Sequence, residues 1–267
     1  MGKSLCGHCG NALAEAARFC PFCGTSAVPQ RLSEAAHVPG FEGARGGARA
    51  PGPGRARFVA VRLDGTDGDQ YPLDRDQIDI GRGAGEIRFD DPQLATRHLR
   101  ISVTRGACLL TPLDRVNGAF LRLRGAFEVS DGDVILLGLQ VLRFETLPPH
   151  ERELPAATEN GVLLFGTPAR PAPWGRLRQL SACGVGRDVY HISRPEIVMG
   201  REHVDVVFAD DEFLSRRHAR LALQDGRPRL EDLGSSNGTY VRLRGPHPLA
   251  PGDYVRFGDQ LLRFELG

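Results

Sequence analysis

Alternation of apolar and polar residues is the dominant signal from Arg57 onward. FVAVRL, LRISV, FLRLR and VLRF each repeat with period two, as do ARLAL, TYVRLR, DYVRFG and LLRFEL nearer the C-terminus. That period places successive side chains on opposite faces of a strand. Turn signals separate the runs, among them Asp64-Gly65, Asp67-Gly68 and Asp131-Gly132. No segment sustains the 3.6-residue period of a helix. Many short strands with turns between them predict a mainly β chain of antiparallel β-sandwiches.

The strand pattern occurs twice. IDIGRGAGEIRFDDPQLATRHLRISV followed by LTPLDRVNGAFLRLRG is matched by IVMGREHVDVVFADDEFLSRRHARLAL followed by LEDLGSSNGTYVRLRG. His98 and His218 lie 120 residues apart, as do Asn117 and Asn237, and Arg82 and Arg201 lie 119 apart. A near-constant offset marks a duplicated domain. The apolar framework is common to both copies, but Ser215 corresponds to Ala95 and Ser236 to Val116. Hydroxyls that vanish while the framework stays serve something other than the fold.

The repeat divides the chain into a cysteine module at 3–25, a linker at 26–56, a first copy at 57–147, a connector at 148–173 and a second copy at 174–267. Between Val38 and Gly54, nine of seventeen residues are Gly or Pro, a composition that predicts a flexible tether. The connector carries Pro148, Pro149, Pro155, Pro168, Pro171 and Pro173. Its apolar stretch 161–166 is a candidate extra strand docking on a neighbour. A net charge of +1 over 267 residues argues against a polyelectrolyte binder. With no apolar leader at Met1–Leu5 and no span-length apolar run, the expectation is a cytoplasmic protein without membrane contact.

Four of the six cysteines are clustered as CGHCG and CPFCG. Each C-x-x-C turn presents two thiolates, and four thiolates make a closed tetrahedral site suited to structural Zn²⁺. Cys6, Cys9, Cys20 and Cys23 are therefore the expected metal ligands of a short zinc ribbon. So small a module has almost no core, and metal binding would supply its folding free energy. Cys108 and Cys183 are isolated and expected to pack.

In the second copy three polar clusters fall between strands: Gly200-Arg201, Ser215-Arg216-Arg217-His218 and Gly234-Ser235-Ser236-Asn237-Gly238-Thr239. Guanidiniums with neutral hydroxyl donors are what a phosphate requires. The ordered pattern GR…SRRH…SSNGT resembles the forkhead-associated (FHA) family of phosphothreonine-peptide-binding domains, over nearly all of 174–267 and in degenerate form over 57–147. The resemblance implies tandem sandwiches of two twisted sheets with binding loops at one end. It implies that Arg201 grips the phosphate, with Ser215, Arg216 and Ser236 contacting it and Asn237 fixing the peptide main chain. Gly200, His218 and Gly238 take structural roles in those loops, and Arg217 is a solvated charge.

The first copy keeps Arg82, His98 and Asn117, but Thr96 stands at the arginine position and two hydroxyls are gone. It is expected to bind phosphothreonine weakly or not at all, and to act as a structural or docking module.

Gly234-Ser235-Ser236-Asn237-Gly238 also satisfies G-x-S-x-G, but a strand pattern follows where a hydrolase needs a helix. The expectation is a bacterial, non-enzymatic signalling adaptor. Its partner would be a phosphothreonine-containing protein, a Ser/Thr kinase or that kinase's substrate. Thr25, Thr158 and Thr167 are candidate self-ligands, and homo-oligomerisation is a further option. The alternative is a nucleic-acid-associated zinc-ribbon protein whose FHA copies dock or oligomerise. The near-neutral charge and the lack of stacking aromatics in 1–56 weigh against nucleic acid.

Overall fold

Each alternating run becomes a strand, and the turn residues fall between strands. The computed structural model describes residues 56–104, 107–152, 158–166, 172–182 and 186–267. The zinc ribbon with Cys6, Cys9, Cys20 and Cys23, the linker up to residue 55, and Thr25, Thr167 and Cys183 lie outside the described residues.

The first copy contributes β1 (Ala56–Val61), β2 (Asp67–Pro72), β3 (Gln77–Gly81), β4 (Ile87–Arg88) and β5 (Leu99–Thr104). It continues with β6 (Ala107–Pro112), β7 (Phe120–Arg122), β8 (Phe127–Glu128), β9 (Val134–Leu137) and β10 (Gln140–Thr146). The connector holds the one-turn helix α1 (Pro149–Arg152) and the strands β11 (Thr158–Glu159) and β12 (Val162–Leu163). The second copy contributes β13 (Gly175–Leu180), β14 (Gly186–Ile192), β15 (Glu196–Gly200), β16 (Val206–Val207) and β17 (Ala219–Gln224). It ends with β18 (Arg227–Asp232), β19 (Thr239–Arg242), β20 (His247–Pro248), β21 (Tyr254–Phe257) and β22 (Gln260–Leu266). Pairing is antiparallel except for β3–β4 and β15–β16.

The units of sequence and the units of packing do not coincide. One ten-stranded sheet runs β14-β13-β10-β9-β19-β7-β21-β22-β1-β2, with a five-stranded sheet of β4-β3-β5-β6-β20 and another of β16-β15-β17-β18-β8. The hairpin β9–β10 of the first copy therefore pairs with β13 and β19 of the second. The hairpin β21–β22 of the second copy pairs with β1 and β7 of the first. The two copies have exchanged their C-terminal hairpins.

The buried cores follow the exchange. One cluster joins Phe58, Ile80, Leu99 and Leu110 to Val255, Phe257, Leu262 and Phe264. The other joins Ile135, Leu137, Leu142 and Phe144 to Leu177, Met199, Leu221, Leu230 and Val241. All buried members of the second cluster fall between Val129 and Val241, so that core is continuous in sequence. The first core is split, and its two parts flank the other. Ion pairs stitch the exchanged strands in place. Glu145 of β10 takes Arg176 at 2.5 Å and Arg178 at 2.7 Å, and these guanidiniums, Arg178 foremost, lower its carboxyl pKa to about 2. On the other side Arg57 meets Glu265 at 2.6 Å.

The crossover has a local cause. Phe120–Arg124 and Tyr240–Arg244 alternate without a turn residue until Gly125 and Gly245, so neither chain folds back after two residues. The two strands run on and pair with each other as Tyr240↔Arg122, Val241↔Leu121 and Arg242↔Phe120. Equivalent positions of the repeat thus meet about a pseudo-two-fold axis at Leu121 and Val241, the geometry of a symmetric dimer interface within one chain.

Among the described residues, the apolar stretch 161–166 docks on no neighbouring sheet. β12 pairs with β11, and Val162, Leu163, Leu164 and Phe165 are exposed. Cys108 is buried in the first core as a free thiol.

Candidate functional site

The three polar clusters of the second copy converge above the continuous core. Arg201 leaves the end of β15, and its backbone N–H donates to the Ser215 carbonyl at 3.1 Å. A Cβ at Gly200 would collide with the Arg216 carbonyl, so glycine is what allows these loops to touch. The Ser236 N–H donates to Ser215 Oγ at 3.2 Å, and Asn237 Nδ2 donates to the Phe213 carbonyl at 2.8 Å. Arg201, Ser215, Arg216, Ser236 and Asn237 are thereby brought into one patch. Gly238 closes the third loop with φ of 84°.

Two guanidiniums make the patch cationic. Arg201 is about one-third exposed, yet its Nε is buried and makes no hydrogen bond. The Glu202 carboxylate lies between two guanidiniums, 3.5 Å from Arg201 Nε and 3.7 Å from Arg216 Nε. These separations are too long for hydrogen bonds but show both cations facing one anionic position. Ser215 Oγ accepts from Ser236 and keeps its own proton to donate.

His218 braces the loops from below. It is fully buried; its Nδ1 accepts the Ser215 N–H at 3.2 Å, and its Nε2–H donates to the Gly238 carbonyl at 3.1 Å. These partners select the neutral ring with its proton on Nε2. Burial pushes the imidazole pKa below its ordinary value, against the opposing pull of the Gly238 carbonyl and Asp232. The unfolded histidine takes up its proton near pH 6.5, before the folded one does. The bracing is thus complete above that pH and weakens as pH falls through 6.5 toward the folded value. Acidification from pH 7.5 to 5.5 is expected to lower the protection factor of the Ser215 amide, its exchange rate by NMR divided into the intrinsic rate at each pH. Protection that stays flat across that range would remove this account.

The sequence reading gave no role to Asp232, which organises the third loop. Its carboxylate accepts from the N–H groups of Gly234 and Ser235 at 3.0 and 2.8 Å, from Ser235 Oγ at 2.7 Å and from Thr239 Oγ1 at 2.6 Å. Burial raises its pKa, but the Ser235 and Thr239 hydrogen bonds outweigh this and hold it below the usual carboxylate value. Thr239 is fully buried and directed to Asp232, so its hydroxyl serves the loop. The G-x-S-x-G stretch at 234–238 runs from β18 into β19, strand to strand.

The first copy keeps the brace and loses the patch. His98 accepts the Ala95 N–H at 3.2 Å and contacts the Gly118 carbonyl at 2.8 Å, and Asn117 Nδ2 donates to the Gln93 carbonyl at 2.7 Å. Pro112 stands at the Asp232 position, and Asp114 takes over, accepting from the Asn117 and Gly118 N–H groups. Ala95 offers no hydroxyl to tie the third loop, and Val116 is 80% exposed where the second copy has Ser236. Arg82 and Thr96 are exposed beside this altered loop. Among the described residues no group of three or more His, Cys, Asp or Glu side chains could hold a metal ion, and no helix is long and apolar enough to cross a membrane.

Comparison with known proteins matches both loop sets. Residues 78–138 and 197–258 each fit the family model described as FHA domain, and residues 5–27 fit that of a zinc-ribbon domain. The chain is similar to the oxoglutarate dehydrogenase inhibitor of Corynebacterium diphtheriae, 36% identical over 134 residues, 49% of this chain and 90% of that one. It is similar to the glycogen accumulation regulator GarA of Mycolicibacterium smegmatis, 33% identical over 137 residues, 51% of this chain and 85% of that one. Among solved structures it is similar to the FHA domain of CT664 from Chlamydia trachomatis, with 23% identity, a TM-score of 0.22, and coverage of 34% of this chain and 94% of that one. The arginine, serine and asparagine loops, set on β-sheets and duplicated, agree with both family matches: the chain belongs to the FHA-domain family.

Proposed function

We propose that this chain is a non-enzymatic cytoplasmic signalling adaptor that captures phosphothreonine-containing proteins through its second FHA copy. The observation that carries this reading is that Arg201 and Arg216 both turn their guanidiniums toward one carboxylate, that of Glu202, while the buried Arg201 Nε makes no hydrogen bond. A phosphate dianion placed there meets two guanidiniums and neutral donors from Ser215 and Ser236, while Asn237 Oδ1 faces the peptide main chain. Regulation by recruitment is in keeping with relatives described as an inhibitor and a regulator. The partner is a Ser/Thr kinase or a kinase substrate. Cys6, Cys9, Cys20 and Cys23 would hold structural Zn²⁺ as four thiolates, which would supply the small ribbon's folding free energy.

The test is titration of the full chain with a degenerate phosphothreonine peptide pool and its unphosphorylated counterpart, read by fluorescence anisotropy. Binding that requires the phosphate supports the reading; equal binding of both pools, or of neither, ends it. Glu202 competes for the same guanidiniums. Glu202→Gln is therefore expected to raise affinity about two- to fivefold, the scale of an exposed ion pair. An unchanged or weakened affinity would mean that Glu202 lies outside the phosphate position.

A further inference from the structure

The phosphate loop of the second copy rests on a strand turn supplied by the first. Asp211 opens that loop and is buried at 3% exposure. Its Oδ2 accepts the Leu139 N–H at 2.8 Å and Gln140 Nε2 at 2.7 Å, both from the tip of the exchanged β9–β10 hairpin. Its Oδ1 accepts the Phe213 N–H at 3.0 Å, and its carbonyl accepts the Leu214 N–H at 3.1 Å. Phe213 in turn receives Asn237 Nδ2, and Ser215 follows two residues later. Gln140 is itself held, its Oε1 accepting from Gln179 Nε2 at 2.6 Å. A buried carboxylate is tolerated only when its oxygens are met by donors, so the hairpin tip fixes where this loop can sit.

We infer that the degenerate first copy is an obligatory part of the second copy's peptide site, with Gln140 as the positioning residue that sets the Ser215 loop through Asp211. The inference rests on the phosphothreonine reading of that site. A mirror contact supplies an internal control. Asp91, buried in the first copy, accepts the Asp259 N–H at 2.9 Å and Gln260 Nε2 at 3.1 Å from the other exchanged hairpin. Gln140 and Gln260 make equivalent bonds to equivalent aspartates, and Gln140 alone lies under the intact loops.

The experiment titrates the full chain with the degenerate phosphothreonine peptide pool. Gln140→Ala is expected to weaken binding about three- to tenfold, the scale of one net hydrogen bond. Gln260→Ala is expected to lower the thermal midpoint comparably and leave affinity unchanged, which a merely structural role for Gln140 would not produce. If the two variants change affinity alike, or Gln140→Ala changes nothing while Arg201→Ala abolishes binding, the inference fails and the phosphothreonine reading stands. If the wild-type chain binds no phosphopeptide, both fall together. A protease site inserted after Gly166 gives a readout without peptide. The cut chain is expected to elute from gel filtration as one species, because each half completes the other's core. Halves that separate would overturn the exchange and the inference built on it.

Discussion

Residues 119–244 expressed alone are expected to fold as a monomer and bind phosphothreonine peptides, whereas residues 174–267, the second copy as the repeat defines it, are expected to yield no folded monomer. The first fragment contains every buried member of the continuous core, from Val129 to Val241, and keeps β7 over the edge of β19. The second loses Val129, Ile135, Leu137, Leu142 and Phe144, all at most 2% exposed. At about 1.5–3 kcal/mol for each buried side chain, that loss is roughly 8–15 kcal/mol. A domain's whole stability is about 5–15 kcal/mol. Its own β21–β22 hairpin could replace the missing strands only by reversing the extended run through Leu243, whose N–H donates to the Ala119 carbonyl at 2.8 Å in the seam. Circular dichroism with light scattering decides the matter. A monomeric, cooperatively unfolding 174–267 fragment would show that the hairpin returns to its own copy.

Replacing Arg201 by alanine in the full chain is expected to cost about a hundredfold or more in phosphopeptide affinity, and Arg82→Ala is expected to cost nothing measurable. Hydrogen bonds to charged groups contribute about 1.5–3 kcal/mol each, so two lost contacts reach this scale. Arg201 presents a buried donor toward the position Arg216 also faces. Arg82 stands beside Ala95 and Val116, which offer no hydroxyl. Isothermal titration of both variants checks the asymmetry. Equal losses would give the first copy a working site, and an intact Arg201→Ala would move the phosphate elsewhere.

Much of this was legible in the residues. Period-two runs locate the strands, and the 120-residue offset pairs the loops. The exchange was hidden for a physical reason. DGDVILLGLQVLRFE and PGDYVRFGDQLLRFE present the same alternation and the same turn, so the pattern does not say which core receives which hairpin. The available signal was the absence of a turn residue in FLRLR and TYVRLR. In the sequence Asp211 is legible as an acid just before the Ser215 loop that either tunes it or keeps it soluble, and Asp91 stands 120 residues before it. Asp232 left no such trace, because Pro112 occupies its place in the first copy. Its role depends on hydrogen bonds that no spacing encodes.

The split core also sets an order of events during synthesis. Domains generally fold from the N-terminus as the chain emerges, but here the sandwich whose strands are made first lacks β20–β22 until residues 247–266 leave the ribosome. The continuous core, translated later, is complete by Arg242. The half with the continuous core can therefore mature first, while β1–β6 wait as a partial sheet for residues 247–266. A premature stop after residue 244 would spare the downstream half and strand the one encoded upstream of it.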